Sequence, residues 1–194
     1  MNALIPKEHL IALQTIVIRE ITRFTRIWIQ TILPPAITMT LYFVIFGNLV
    51  GSRIGVMQGY PYVEYIAPGL IMMSIITHSY ANVASSFFSM RFQNNIEELL
   101  VSPTPNYIIV LGFIIGGIAR GLCVGLVVTI VASFFVTFRI EYFSIMFTII
   151  ILSATLFALA GLLNGIFAKK FDDISIVPTF ILTPLTYLGG VFYS

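Results

Sequence analysis

The sequence predicts an all-α protein: a polytopic transmembrane helical bundle preceded by an amphipathic helix at the membrane interface. Two observations carry this. Hydrophobic residues fill 58% of the 194 positions, with a mean hydropathy of +1.00. The ten Lys or Arg and eight Asp or Glu leave four long stretches free of charge. These are the 26 residues between Arg26 and Arg53, the 26 between Glu64 and Arg91, the 27 between Glu141 and Lys169, and the 21 after Asp173. A helix needs about 20 apolar residues to cross a hydrocarbon core of about 30 Å, whereas a soluble domain carries charge on about a quarter of its residues. One membrane domain, residues 1–194, accounts for the chain and leaves no length for a soluble catalytic domain. A net charge of +2 is too small to argue for nucleic acid as a partner.

Each element follows from local pattern. Residues 7–26 read as an amphipathic helix. Leu10, Leu13, Val17, Ile21, Phe24 and Trp28 recur at steps of three or four, and Arg19, Arg23 and Arg26 share another face. Such a helix lies in the interface, its cations toward anionic head groups. It is no secretory signal, because Lys7, Glu8 and His9 lead into charge rather than into a short apolar core with a cleavage site. Span one, about 27–50, contains Pro34-Pro35, which removes two backbone donors and predicts a kink. A glycine-rich link (Gly51, Gly55, Gly59) leads to span two, about 62–90, with Pro68. A polar interruption, Arg91 to Pro105, separates it from span three, about 106–138. A turn at Arg139-Ile140-Glu141 precedes span four, about 142–168, and the loop Lys169 to Asp173 precedes span five, about 174–193.

With the N-terminus inside, Lys7, Arg19, Arg23, Arg26, Arg91, Lys169 and Lys170 are cytoplasmic and only Arg53 and Arg139 are outside. That is the expected positive-inside bias. Tyr60, Tyr62, Tyr65, Phe138, Tyr142 and Phe143 then form an outer aromatic belt. Gly117, Gly121 and Gly125 in span three form a small-residue ladder, as do Ala154, Ala158, Gly161, Gly165 and Ala168 in span four. Such ladders let helix backbones approach closely, within one chain or across a dimer.

Four features bear on function. In the interruption after span two, Asn95 can cap a short helix over about 94–102, with Glu98 in capping-box spacing and Glu97 near its positive end. Ser102-Pro103 ends it. This two-turn rod presents Ile96, Leu99 and Leu100 beside two carboxylates. It fits either a groove on a cytosolic partner or a loop-resolving interfacial helix. In span two, Ser74, His78, Asn82, Ser85 and Ser89 share one helical face, and span five carries Thr179, Thr183 and Thr186 beside Pro178 and Pro184. Either these residues line a path for a partly polar substrate, or they make interhelical hydrogen bonds and satisfy carbonyls freed by proline. His78 fits hydrogen bonding better than proton relay. Arg120, alone inside an apolar stretch, is either functional or a structural anchor that snorkels to the inner interface above a cytoplasmic extension formed by 106–119. Asp172-Asp173 lacks the second acidic cluster that metal-diphosphate chemistry needs and reads as a solvated loop. Cys123 can form no intramolecular disulfide. No phosphate-binding loop occurs, so any ATP must be bound by another polypeptide.

The run ILPPAITMTLYFVIFGNLVGSRIG, then YIAPGLIMMSIITHSYANVASSFF, RFQNNIEELLVSPTP and LAGLLNGIFAKKFDDISIVPTFILTPLTYLGGVFYS, resembles the permeases of ABC-2 type exporters over essentially the whole chain. The likeness is to bacterial inner-membrane transport permeases of that family, with nodulation lipo-oligosaccharide and polysaccharide exporters more distant. It implies the ABC-2 permease fold with six spans, a homodimeric membrane domain, and two separately encoded ATPase subunits that bind ATP and Mg, with no cofactor in this chain. It also implies that Arg91, Asn95, Ile96, Glu97, Glu98, Leu99 and Leu100 belong to a coupling helix, and that 7–26 is a connecting helix. Members continue past the segment matching TYLGGVFYS into a sixth span. Five are expected here, so the chain reads as a C-terminally truncated permease with an apolar face uncovered. The implied activity is export of an amphipathic, lipid-linked or drug-like substrate, with a non-transporting accessory protein or an inactive truncated permease as the rivals. A membrane-embedded enzyme would need convergent His, Asp or Cys ligands that the sequence does not supply.

Overall fold

The computed structural model describes residues 7–57, 59–138 and 142–188. The expected turn Arg139-Ile140-Glu141 and the end of span five lie outside them. Nearly everything described is helical: α1 Lys7–Arg26, α2 Trp28–Val44 continued by a π-turn Ile45–Val50, α3 Gly51–Ile54, α4 Tyr62–Phe92, α5 Asn95–Val101, α6 Asn106–Ser133, α7 Phe143–Phe167, α8 Phe171–Val177, a π-turn Pro178–Leu182, and α9 Thr183–Thr186. The glycine-rich link is more ordered than expected. Strands β1 Val56–Met57 and β2 Tyr60–Pro61 form a small antiparallel hairpin, with Gly55 and Gly59 at positive φ where the chain reverses.

Among the described residues, three stretches are long and apolar enough to cross a membrane, Trp28–Gly47, Asn106–Ser133 and Phe143–Phe167. The polar stripe lowers the hydropathy of α4. Its 31 residues nevertheless give a rod of about 46 Å, and it is the axis on which α6 and α7 pack. An outer core joins Met39 and Phe43 of α2 to Ile66 and Leu70 of α4 and to Val124 and Val128 of α6. An inner core joins Ile16 of α1 to Val83, Phe113 and Leu162. Tyr62, expected in the aromatic belt, is instead buried in the outer core, whereas Tyr60 and Tyr142 are exposed.

Both small-residue ladders approach α4 of the same chain. A methyl group at Gly161 would overlap the Tyr80 carbonyl oxygen, and one at Gly121 would stand 2.9 Å from the Ile75 carbonyl oxygen. Only a missing side chain allows α6 and α7 to sit this close to the α4 backbone. Span three is shorter than expected, since α6 ends at Ser133.

The fifth helical run starts earlier than expected, at Phe171. Asp172-Asp173 is therefore the first turn of a helix and not a free loop. The Asp173 carboxylate accepts the backbone N–H groups of Lys169 (2.8 Å) and Lys170 (3.0 Å), and these bonds hold its carboxyl below the usual carboxylate range. Pro178 has no N–H for the Ile174 carbonyl. Asn164 of α7 supplies the donor instead, at 3.1 Å.

Candidate functional site

Helix α5 is seven residues long and hangs between the ends of α4 and α6. Its cap differs from the expected one. Asn94, at φ 59°, is the N-cap, and Asn95 lies inside the helix with its amide donating to Gln93 Oε1 at 3.2 Å, so no capping box forms. Asparagine tolerates the left-handed backbone needed to turn sharply out of α4. Ile96 is buried (8% exposed) and Leu99 packs against the inner core, so these two hold the rod to the bundle. Glu97, Glu98, Leu100 and Val101 point away, the last at 87% exposure. Arg91 is not free for a partner. Its guanidinium donates to the carbonyls of Ile166 and of Ala168 (3.2 Å), closing the C-terminal end of α7 onto α4.

The stripe on α4 divides by depth. Ser74 and His78 face Pro34, Pro35 and Thr38 of α2 across a cavity of about 290 Å³, and His78 Nδ1 lies 2.9 Å from the Ser74 carbonyl. Asn82 is fully buried and engaged by α1, because Arg23 donates to its backbone oxygen (3.1 Å) and to its Oδ1 (2.8 Å). Ser85 donates to the Ala81 carbonyl within α4. Ser89 opens on a larger cavity, about 760 Å³, between α1 and the end of α4. In the fifth run, Thr183 donates to the Pro178 carbonyl and Thr186 to that of Thr183, local bonds of a proline-broken helix, while Thr179 is exposed. The Tyr42 and Tyr187 hydroxyls, 3.0 Å apart, join α2 to this run.

The side chain that sequence reasoning missed is Glu20. It is 1% exposed and accepts a hydrogen bond from Ser86 Oγ (2.7 Å), with Arg23 at 3.3 Å and Arg19 at 3.5 Å. Its signal was position. Ile16, Glu20 and Phe24 are the buried residues of α1, four apart, so the acid stands on the buried stripe. The expected apolar face is turned partly outward, with Leu10 and Trp28 exposed. Helix α1 runs alongside the first half of α6, where Ile16 meets Gly112 and Glu20 meets Gly116. Arg120 also turns inward, its Nη1 3.5 Å from Asn82 Oδ1. The expected snorkelling toward head groups is replaced by a contact inside the bundle, since α1 and α4 supply polar atoms there.

A short amphipathic rod after the second long helix and an N-terminal helix clamped to the bundle are features of a transport subunit. The sequence pattern described as ABC-2 type transporter matches residues 11–194. The chain belongs to the ABC-2 type transporter family. It is 63% identical over 184 residues to the inner membrane transport permease YadH of Escherichia coli (strain K12), covering 95% of this chain and 72% of that protein, and equally so to YadH of Shigella flexneri. No solved structure matches it significantly. As an ABC-2 permease it is a multi-pass inner-membrane protein and the membrane subunit of an ABC transporter. That role is transport, and membership of the family implies association with an ABC ATPase.

Proposed function

We propose that this ABC-2 permease works as an exporter in which nucleotide-driven closure of a separately encoded ATPase pair, binding ATP and Mg, pushes on α5. Two copies form the membrane domain, each crossing five times over the present chain, with N-termini in the cytoplasm. The observation that carries the reading is the two-sidedness of α5. Ile96 and Leu99 fasten it to the bundle, and Glu97, Glu98 and Leu100 are presented outward beside Val101. A load applied to the outer face passes through Ile96 and Leu99 to α4 and α6. Ser74 and His78, which face α2 across the smaller cavity, and Ser89, which opens on the larger cavity beside α1, line the proposed path for an amphipathic, lipid-linked or drug-like substrate. Arg91 ties the end of α4, from which α5 departs, to the C-terminal end of α7, Asn95 bonds back to Gln93 at the start of α5, and Arg120 steadies Asn82.

Co-purification tests this. The combined variant E97K/E98K/L100S is expected to insert normally and lose its ATPase subunit. Retention of the ATPase by that variant, or labelling of E98C only from the periplasmic side, refutes the coupling role. A permease that binds no ATPase in any background supports the accessory-protein alternative.

A further inference from the structure

The 760 Å³ groove between α1 and the inner end of α4 is lined by three arginines and one buried carboxylate. Arg19, Arg23 and Arg26 all face it, with Ser86, Ser89 and Gln93 opposite. The arginines of an interfacial helix ordinarily spread outward into head groups. Here Arg19 folds back over the Phe113 ring (5.8 Å), Arg23 is drawn in by Asn82, and both are held by Glu20. Positive charge is in excess, because Arg120 also reaches the same Asn82 Oδ1 and Glu20 is the single carboxylate among these groups. Arg23 Nε and Arg120 Nε are buried without a hydrogen-bond partner among the described residues. A fixed cluster of guanidiniums short of anions, at the edge of a membrane, is matched by phosphate oxygens, which accept paired N–H donors in the guanidinium plane.

We propose that this groove binds the anionic, phosphate-bearing head group of a lipid. The apolar chain leaves past Ile18 and Ile27, which line the same groove and lead to the exposed apolar face of α2. Two sources share this chemistry: a resident acidic phospholipid, and the phosphate end of a lipid-linked cargo, for which the groove is the inner mouth of the proposed path. The site is independent of transport direction and of the ATPase contact, so its failure leaves the coupling reading standing.

Trp28 is the single tryptophan of the chain, 59% exposed and two residues beyond Arg26. Quenching of its fluorescence in purified full-length protein reports lipid at the groove. Dibrominated phosphatidylglycerol is expected to quench at lower mole fraction than dibrominated phosphatidylcholine. Each arginine facing an anionic lipid contributes about fivefold in affinity, so R19Q/R26Q lowers the preference about 25-fold. The single variant R26Q, whose guanidinium makes no hydrogen bond among the described residues, lowers it about fivefold even if the double variant fails to fold. Competition separates the sources. Reversal of quenching by farnesyl diphosphate but not by inorganic diphosphate assigns a lipid-borne diphosphate such as cargo carries. Reversal by neither assigns a resident phospholipid. Equal quenching by the two brominated lipids, an undiminished preference in R26Q, or reversal by inorganic diphosphate alone overturns the proposal.

Discussion

Replacing Glu20 with alanine removes a carboxylate that is 1% exposed and that faces Arg19, Arg23 and the Ser86 hydroxyl. Stranding the partner of a fully buried ion pair costs about 3–5 kcal/mol. The arginines here are not fully buried, with 43% and 35% of their side chains exposed, and Arg23 keeps both oxygens of Asn82. Solvent screening therefore discounts most of the charge contribution, while the Ser86 hydroxyl loses its acceptor outright. About 2 kcal/mol remains, which for a chain of this length lowers the unfolding midpoint by about 4–8 °C. Circular dichroism melts in mild detergent measure this. E20Q, which keeps the shape and an acceptor for Ser86, is expected to lose about half as much. A cycle of E20A, R23A and the double variant should show a coupling of about 1 kcal/mol, above the few tenths seen between independent sites. If α1 merely floats in the interface with Glu20 in water, E20A melts within about 1–2 °C of the parent and the cycle is additive. Either result refutes the clamped arrangement of α1.

Three further outcomes follow from the same contacts. G161V drives a side chain into the Tyr80 carbonyl and should destabilise the α4–α7 pair by about 1–3 kcal/mol in an SDS titration, with G165A, 3.1 Å from the Ala84 carbonyl, costing less. N164L should cost about 1 kcal/mol by leaving the Ile174 carbonyl unpaired. Adding P178A, which restores a backbone N–H, should recover the loss, and a failure to recover would show that Asn164 acts elsewhere. Asp173 has a folded-state pKa below its unfolded value, so its contribution is present above about pH 4 and disappears as pH falls through the folded pKa. The difference in melting temperature between the parent and D173A should therefore be seen at pH 6 and shrink at pH 3.

What the sequence could show and what it could not separate along one physical line. Charge-free stretches and ladders of small residues depend on one helix at a time, and these located α4, α6 and α7 to within a few residues, apart from the early end of α6 at Ser133. The functional surface depends on which neighbour covers which face. Ser85 and Thr183 look like path residues by spacing, yet their hydroxyls return to carbonyls four and five residues back. Asn82 stands on the same stripe and is claimed by Arg23, 59 residues away. The two asparagines that open α5 differ by one position, and the choice between them turns on a left-handed backbone angle that Asn94 adopts at the end of α4. Glu20 shows the point most sharply. Read within α1 alone, it is one more polar residue in a helix rich in them. Only the close approach of α6 at Gly116, where a side chain would strike the Glu20 Cβ, makes it the carboxylate that fixes two arginines beside the groove.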